Sequence, residues 1–488
     1  MKLEAKREQL EAQLREIQAA EARAAAFEAT AASVVIASPQ TPLMTAKLFL
    51  DRFCKTDEMQ TLKFCEDAFW RWKGPCFEEQ PSLSVENELY EFLADAKYTA
   101  VNRRTGEQTL EPYNPTAKKI SDVMHALKAS VYCQHSPLSG AKWLDSVSYR
   151  PDNFIVFRNG ILDLDDWLAG NDYSLMPHTP TLINSNYLPF DFEVSDDKPI
   201  EWLLFLRSIW PNDDECIATL QEWMGYSLTK DNSHQKMLLI VGPPRSGKGT
   251  IAKVFSLLLG EKNVCGPVLA SLEGPFGLQS WLNKTHAIIS DARLSSKSDQ
   301  SKIAERLLSI SASDMLTIER KRIDAIEVSL PARITIMTNE IPHLRDMSGA
   351  LVSRFIILTM RESFLGREDI SLINKIKSEL PQILSWSLRG LKRLIERGYF
   401  VQPQSSAEHY TAMLSMSSPM QAFVKEICEL HELSTVAVKS LYSQWQGWCD
   451  AAGYEYTSNI HKFMRDVRSV APKVKELDGL FRGIGVRI

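Results

Sequence analysis

The sequence predicts an α/β protein built on a parallel sheet, and three observations carry that expectation. A buried-strand run, Met237-Leu238-Leu239-Ile240-Val241, leads directly into the glycine-rich stretch Gly242-Pro243-Pro244-Arg245-Ser246-Gly247-Lys248-Gly249-Thr250. A helical segment from Ile251 to Leu259 follows. Two more apolar runs, Ala287-Ile288-Ile289 and Ile334-Thr335-Ile336-Met337, lead to the polar residues Asp291 and Asn339. Apolar strands alternating with helices indicate a parallel sheet with its site at the strand C-termini.

The chain has 488 residues, more than one hydrophobic core accommodates, so about three domains are expected. The pattern divides it into an N-terminal helix and linker (1–38), a mixed α+β region (39–235), an ATPase-like core (236–400) and a small α/β module (417–488). With 44% apolar and 24% charged residues the composition is that of a globular protein, and no run reaches the roughly 20 apolar residues of a membrane span. The N-terminus carries acids and bases throughout and lacks an apolar signal core, so a location in the cytoplasm, or the compartment in which the protein is made, is expected. Eight scattered cysteines include no C-x-x-C pair, which argues against a zinc ribbon and for reduced thiols. The net charge of −5 neither advertises nor excludes nucleic acid, because a local basic strip matters more than the sum.

Residues 1 to about 30 read as a polar, alanine-rich helix with Leu3, Leu10 and Ile17 seven apart; a short heptad seam and a solvated helix are both open. Ser38 to Pro42 breaks it. Between 43 and 235, strand-like Phe69–Trp72 and Phe154–Phe157 alternate with helical 118–131 and 213–228, and Asn159-Gly160 separates two apolar runs as a hairpin turn does.

The stretch Gly242 to Thr250 (Gly242, Pro243, Pro244, Arg245, Ser246, Gly247, Lys248, Gly249, Thr250) is the strongest chemical signal. A glycine-rich loop between strand and helix turns backbone N–H groups, together with a helix N-terminus, toward phosphates. This is a P-loop for ATP, with Lys248 reaching the β and γ phosphates. Gly249 stands where the motif has Ser or Thr, which leaves Thr250 as the hydroxyl for Mg²⁺. Asp291 is the second expected metal ligand, as a strand-end acid holding Mg²⁺ through water; the plain alternative is a helix cap. It has no acidic neighbour, so the catalytic base is open. Asn339 can hydrogen-bond an attacking water or the γ-phosphate, and Arg354, fifteen residues on, suits a finger reaching a neighbouring subunit's phosphate.

Three consecutive cations, Arg320, Lys321 and Arg322, lie between apolar runs and form either a solvated hairpin tip or a loop gripping DNA phosphates. In the C-terminal module, a helix from Asn459 to Ser469 carries Lys462, Arg465 and Arg468, and the chain ends on strand-like residues. Helices followed by a terminal hairpin suggest a winged helix with the basic helix as DNA reader, while a protein-docking role stays open. Trp445 and Trp448 read as core.

Taken in order, these motifs resemble the helicase part of phage and plasmid primase-helicases, superfamily 3 relatives of the poxvirus type. The matching residues are Asn159–Leu164, Leu220–Tyr226, Gly242–Thr250, Ser290–Leu294, Ile318–Lys321 and Thr338–Pro342 through Ser353-Arg354-Phe355. The resemblance covers roughly 45–488 and implies an AAA+ ATPase assembled as a ring, usually a homohexamer, on single-stranded and forked DNA, moving 3′ to 5′. It implies Lys248 and Thr250 as phosphate and Mg²⁺ groups, Asp291 as Walker B and Asn339 as sensor. It also implies Arg354 as the finger in trans, Lys321 with Arg322 as the hairpin tip, and a collar-like upstream region. Nothing in the chain resembles the primase domain many relatives carry, so priming is expected to fall to a separate primase or polymerase or to a part of the protein outside this sequence. Two rivals remain: a nucleoside monophosphate kinase, against which the loop's late position argues, and an AAA+ ATPase that remodels or initiates at DNA without processive unwinding.

Overall fold

The computed structural model describes residues 37–488 apart from 103, 146–150, 152, 171–173, 194, 196, 296–297, 343, 345, 347–349, 418, 453–458 and 488. The expected N-terminal helix over residues 1–30 therefore lies outside the described residues. The chain forms two compact units. Within the first, helices Pro42–Phe53, Ser82–Ala94 and Ala117–Ser130 enclose a core of Phe49, Phe69, Leu89, Leu127 and Tyr113 with a three-stranded antiparallel meander, Leu62–Cys65, Ala68–Trp72 and Phe77–Gln80. Thr116 caps the third helix by accepting from the Lys119 amide.

The second unit is organised by a five-stranded sheet. Its strands are β1 (Met237–Val241), β2 (Val264–Cys265), β3 (His286–Ile289), β6 (Arg333–Thr338) and β7 (Phe355–Thr359). They are all parallel, in the spatial order β2-β3-β6-β1-β7. Between β3 and β6 rises an antiparallel hairpin of β4 (Met315–Arg320) and β5 (Ile323–Ser329). β1 is buried along its whole length between β6 and β7, which explains why its five residues are uniformly apolar rather than alternating.

A parallel sheet needs cover on both faces. On one face lie α1 (Ile200–Ile209), α2 (Asp214–Tyr226), α3 (Lys248–Leu259), α6 (Leu372–Lys377) and α7 (Leu380–Arg397). The other face is covered by α4 (Gln300–Ala312), the short α5 (Ala350–Arg354) and α8 (Ala407–Ser417), with Trp281 and Leu269 from the turns before β3. Residues 200–226, which sequence alone groups with the region before them, thus belong to the core of the sheet. The hairpin Phe154–Phe157/Gly160–Asp163 forms as expected, but its two turn residues are Arg158 and Asn159, and Gly160 opens the return strand.

Two glycines set the closest approach in this layer. A Cβ at Gly390 of α7 would come 2.6 Å from the Gln221 carbonyl oxygen of α2, and a Cβ at Gly225 would collide with the Ser387 carbonyl. The contact is reinforced by Glu222, a buried acid that accepts from Arg393 Nε at 2.7 Å and pairs with Arg397 as well. One acid between two guanidiniums satisfies the burial cost of the carboxylate. At the start of β6, buried Arg333 donates to the Thr229, Asp231 and Pro331 carbonyls and stacks 4.4 Å from the Tyr226 ring centroid. His286, fully buried on β3, meets Thr335 Oγ1 at 2.8 Å, and the Trp223 indole donates to the same oxygen.

The C-terminal module runs α9 (Pro419–Ile427), β8 (Thr435–Ala437), α10 (Val438–Ala452), α11 (Ile460–Val470), β9 (Lys475–Leu477) and β10 (Leu480–Arg482). Strands β8, β9 and β10 form one antiparallel sheet in the order β8-β10-β9, and Cys428–Glu429 pairs antiparallel with Gly485–Val486. Phe423, Leu441, Trp445, Phe463 and Phe481 form its core, with Trp448 stacked on Trp445 at 5.5 Å, so the tryptophans are packing residues as read from sequence. All eight cysteines are buried and none is joined in a disulfide. Among the described residues no helix is long and apolar enough to cross a membrane.

Gly390→Ala forces α7 off α2 and should cost roughly 1–3 kcal/mol, read as a lowered urea midpoint; an unchanged midpoint would refute the close approach. Burial holds His286 well below the ordinary histidine value of 6.5, and His234 and His409 are lowered in the same direction for the same reason. Below pH 6.5 the unfolded chain takes up protons that the folded histidines refuse. Stability is therefore fully present above pH 6.5 and falls below it, by up to about 1.4 kcal/mol per pH unit for the fully buried His286 and by less for the solvent-screened His234 and His409. His286→Gln should flatten the decline measured between pH 7.5 and 5.5 by about one histidine's share.

Candidate functional site

The loop Gly242–Gly247 leaves the C-terminal end of β1 and enters α3 at Lys248, three residues earlier than the apolar run suggested. Its backbone depends on residues that admit unusual conformations. Gly247 has φ +97°, and a Cβ there would meet the Phe205 ring at 3.0 Å, so glycine is required on both counts. Arg245 adopts φ +61° without being glycine. Gly242 lies so close to Met360 that a Cβ would come 2.6 Å from the Met360 Cβ. Gly249 differs: a Cβ there would meet nothing within 4 Å.

Lys248 turns back toward the mouth of the loop. Its ammonium donates to the Gly242 and Pro243 carbonyls at 2.7 Å each and to Ser246 Oγ at 3.2 Å, and burial lowers its pKa. The segment after β7 is stitched over the loop. The Phe364 amide donates to the Arg245 carbonyl, Ser363 Oγ donates to the Pro244 carbonyl, and Arg245 pairs with Glu368 at 3.6 Å.

Loop and segment enclose a cavity of ≈ 690 Å³, within the range of small-molecule sites. Pro244 through Thr250 and Asn339 line one part of it. Asn339 reaches it because β6, whose last residue is Thr338, runs directly beside β1. The other part is lined by Glu201, Leu204, Phe205 and Ser208 of α1 with Phe364, Arg367 and Leu372. No sequence motif pointed to these residues. The available signal was the i, i+3, i+4, i+7 spacing of the α1 group, which marks one helix face but does not say what it faces.

The remaining expected residues are distributed around the sheet. β3 ends at Ile289, so Asp291 lies two residues past the strand; it is exposed and is not among the residues lining the cavity. Its carboxylate accepts from Arg293 Nε at 3.0 Å and pairs with Arg293 NH2 at 2.8 Å, which holds its pKa below the usual carboxylate value. Arg354 stands at the opposite, N-terminal end of the strands, immediately before β7, and donates to Ser311 Oγ at 3.0 Å. The length of β7, five residues, separates it from the strand's C-terminal end, roughly 16 Å at about 3.3 Å per residue. Thr250 has access to the cavity, and Arg354 of the same chain does not line it.

Lys321 and Arg322 are the two turn residues of the β4–β5 hairpin, with Arg320 paired to Ile323 at its last rung. Arg320 Nε donates to the Asp324 carbonyl at 2.8 Å, and the Lys321 ammonium sits 5.8 Å from the ring centroid of the exposed Phe276. On α11, Arg465 and Arg468 are exposed and Lys462 is half-buried; Arg468 pairs with Glu476 at 3.1 Å.

Comparison with known proteins adds three findings. Residues 240–354 match a family of unknown function, DUF5906. That span runs from the strand feeding the loop through Arg354. The uncharacterized mitochondrial protein ymf21 of Marchantia polymorpha is 25% identical over 134 residues, covering 25% of this chain and 71% of that protein. Among solved structures, the apo C-terminal region of NrS-1 aligns with TM-score 0.51 at 11% identity, over 91% of this chain and all of that one. A second apo structure of the NrS-1 C-terminal region (305–718) aligns with TM-score 0.52 at 11% identity, over 91% and 99% of the two chains. At that identity the likeness is one of fold.

The two helix-start glycines should separate in mutagenesis. Gly247→Ala combines a positive φ with a clash and should lower the thermal midpoint by several degrees; Gly249→Ala adds helix propensity in open space and should leave it unchanged or raise it. Equal loss in both would contradict the loop geometry.

Proposed function

We propose that the chain is an ATP-hydrolysing ring motor that moves along single-stranded DNA and unwinds duplex ahead of it. The observation that carries the reading is the distribution of groups about one sheet. Lys248, Thr250 and Asn339 share a cavity at the C-terminal ends of β1 and β6, while Arg354 stands at the N-terminal end of β7, out of reach of its own chain's cavity. The cavity fits a nucleoside triphosphate by its volume and by the loop that only glycine at 247 permits. In this reading Lys248 exchanges the carbonyls of its loop for phosphate oxygens and offsets their charge. Asn339 orients the attacking water. Arg354 of a neighbouring subunit supplies the fixed cation that stabilises charge on the transferred group. Thr250 and Asp291 are the proposed donors to Mg²⁺, which supplies charge neutralisation at the phosphates; Asp291 has to leave Arg293 to serve.

DNA contacts are assigned to Arg320, Lys321 and Arg322 at the hairpin tip, where exposed Phe276 offers a ring for base stacking beside Lys321. Two helices, Val438–Ala452 and Ile460–Val470, followed by the β9–β10 hairpin support a winged helix for the C-terminal module, with Lys462, Arg465 and Arg468 on its basic helix. A ring of this chain, usually of six copies, forked DNA and a separate primase or polymerase complete the proposed setting, in keeping with the resemblance to superfamily 3. The same architecture also serves an ATPase that remodels or initiates at DNA without processive unwinding.

Mixed-subunit hydrolysis tests the trans arrangement. Lys248→Ala and Arg354→Ala should each abolish DNA-stimulated ATP hydrolysis. A one-to-one mixture should recover a measurable fraction, because a site with intact Lys248 can face an intact Arg354. Hydrolysis indifferent to DNA, with Arg354→Ala at wild-type rate, would sink the ring reading.

A further inference from the structure

The first unit holds a cavity of its own, of ≈ 440 Å³, where the C-terminal turns of two helices meet. Helix Pro42–Phe53 contributes Phe49 and Phe53, and helix Ser82–Ala94 contributes Phe92. Their ring centroids lie 5.4, 5.7 and 5.6 Å apart with planes inclined at 45°, 61° and 84°, so the rings form a corner rather than a stack. Phe49 and Phe92 are buried behind it, while Phe53 stands 48% exposed. Three carboxylates share the lining. Glu88 is paired with Arg71, but Glu91 and Asp95 are exposed, and among the described residues neither is paired with a cation. They occupy the last turn and the C-cap of helix Ser82–Ala94, where the helix dipole is already negative and a Lys or Arg would be favourable; that turn has none. Helix Pro42–Phe53 does carry a cation in its last turn, Arg52, whose guanidinium carbon lies 5.6 Å from the Phe53 ring centroid. Two helix C-termini, two unpaired carboxylates and an aromatic corner all favour positive charge at one place.

We propose that this cavity receives an arginine side chain from a basic peptide segment of a partner protein, its guanidinium stacked on the aromatic corner and paired with Glu91 and Asp95. The chain's own Arg52 already rests on the Phe53 ring, so that ring accepts a guanidinium. Arg52 is then the resident competitor, and an incoming arginine displaces it. Arginine suits the site better than lysine, because a planar, weakly hydrated guanidinium stacks on a ring and bonds a carboxylate through two N–H groups at once. Nucleic acid is the wrong occupant: the carboxylates and the negative helix ends that attract a guanidinium repel a phosphate backbone.

Fluorescence anisotropy on the full chain tests this, with fluorescein-labelled hexa-arginine as the probe and hexa-lysine for comparison. Hexa-arginine should bind more tightly than hexa-lysine. The double variant Glu91→Gln/Asp95→Asn should weaken hexa-arginine by about tenfold, and Phe53→Ala by roughly threefold. Arg52→Ala should tighten it by about twofold to threefold, because the resident guanidinium is gone. A merely structural role for Arg52 would not raise affinity. All four residues are exposed, and each variant should keep the wild-type circular dichroism. Equal affinity in wild type, the double variant and Phe53→Ala would place the peptide elsewhere on the surface and overturn the proposal. A labelled single-stranded oligonucleotide that loses affinity in Phe53→Ala while hexa-arginine does not would assign the cavity to nucleic acid. Self-association of the chain that disappears in the double variant, with no binding of hexa-arginine, would assign it to a second copy. Either result overturns the assignment to a basic partner peptide.

Discussion

Everything in the second unit depends on the burial of β1. All five of its residues are inaccessible, with β6 and β7 bonded to its two edges and apolar layers above and below. A strand so enclosed has no freedom of register, because each residue is committed to a neighbour and a face. The loop that leaves it is therefore delivered to one place, and Asn339 is delivered beside it by the adjacent strand. Covering both faces of that strand is what recruits α1 and α2 from before the loop and α7 from well after it. The glycine contact between α2 and α7, with Glu222 between two arginines, fixes how near those helices lie.

Sheet polarity then sorts the chemistry. The groups that follow β1 and β6 converge on the cavity; Arg354 and the base of the β4–β5 hairpin lie at the N-terminal ends of the strands. In a monomer this separation isolates Arg354 from any phosphate bound at its own loop. In the proposed ring it would be a means of coupling, with one subunit's Arg354 reaching the next subunit's cavity. The proposed motor derives its need for neighbours from this arrangement and from no property of a single side chain.

The parts legible in the sequence were those written locally. β1, its loop, β6 with Asn339, and the hairpin tip at Lys321-Arg322 follow from short apolar runs, glycines and a charge cluster, and each formed where expected within a few residues. What the sequence did not disclose depends on distant partners. Gly225 and Gly390 look like helix-weakening residues until their helices are seen in contact. The α1 face reads as an ordinary amphipathic pattern, and only the fold turns it toward the loop. Asp291 shows the limit of reasoning by strand ends: two residues of overshoot carry it out of the cavity lining and into a pair with Arg293.

The measurement that tests the central claim most directly is strand displacement on a forked duplex carrying a 3′ single-stranded tail. The account predicts displacement that requires hydrolysable ATP and disappears in Lys248→Ala. ATP hydrolysis stimulated by DNA, with the duplex left intact on forks of either polarity, would contradict unwinding and leave a remodelling ATPase built on the same ring.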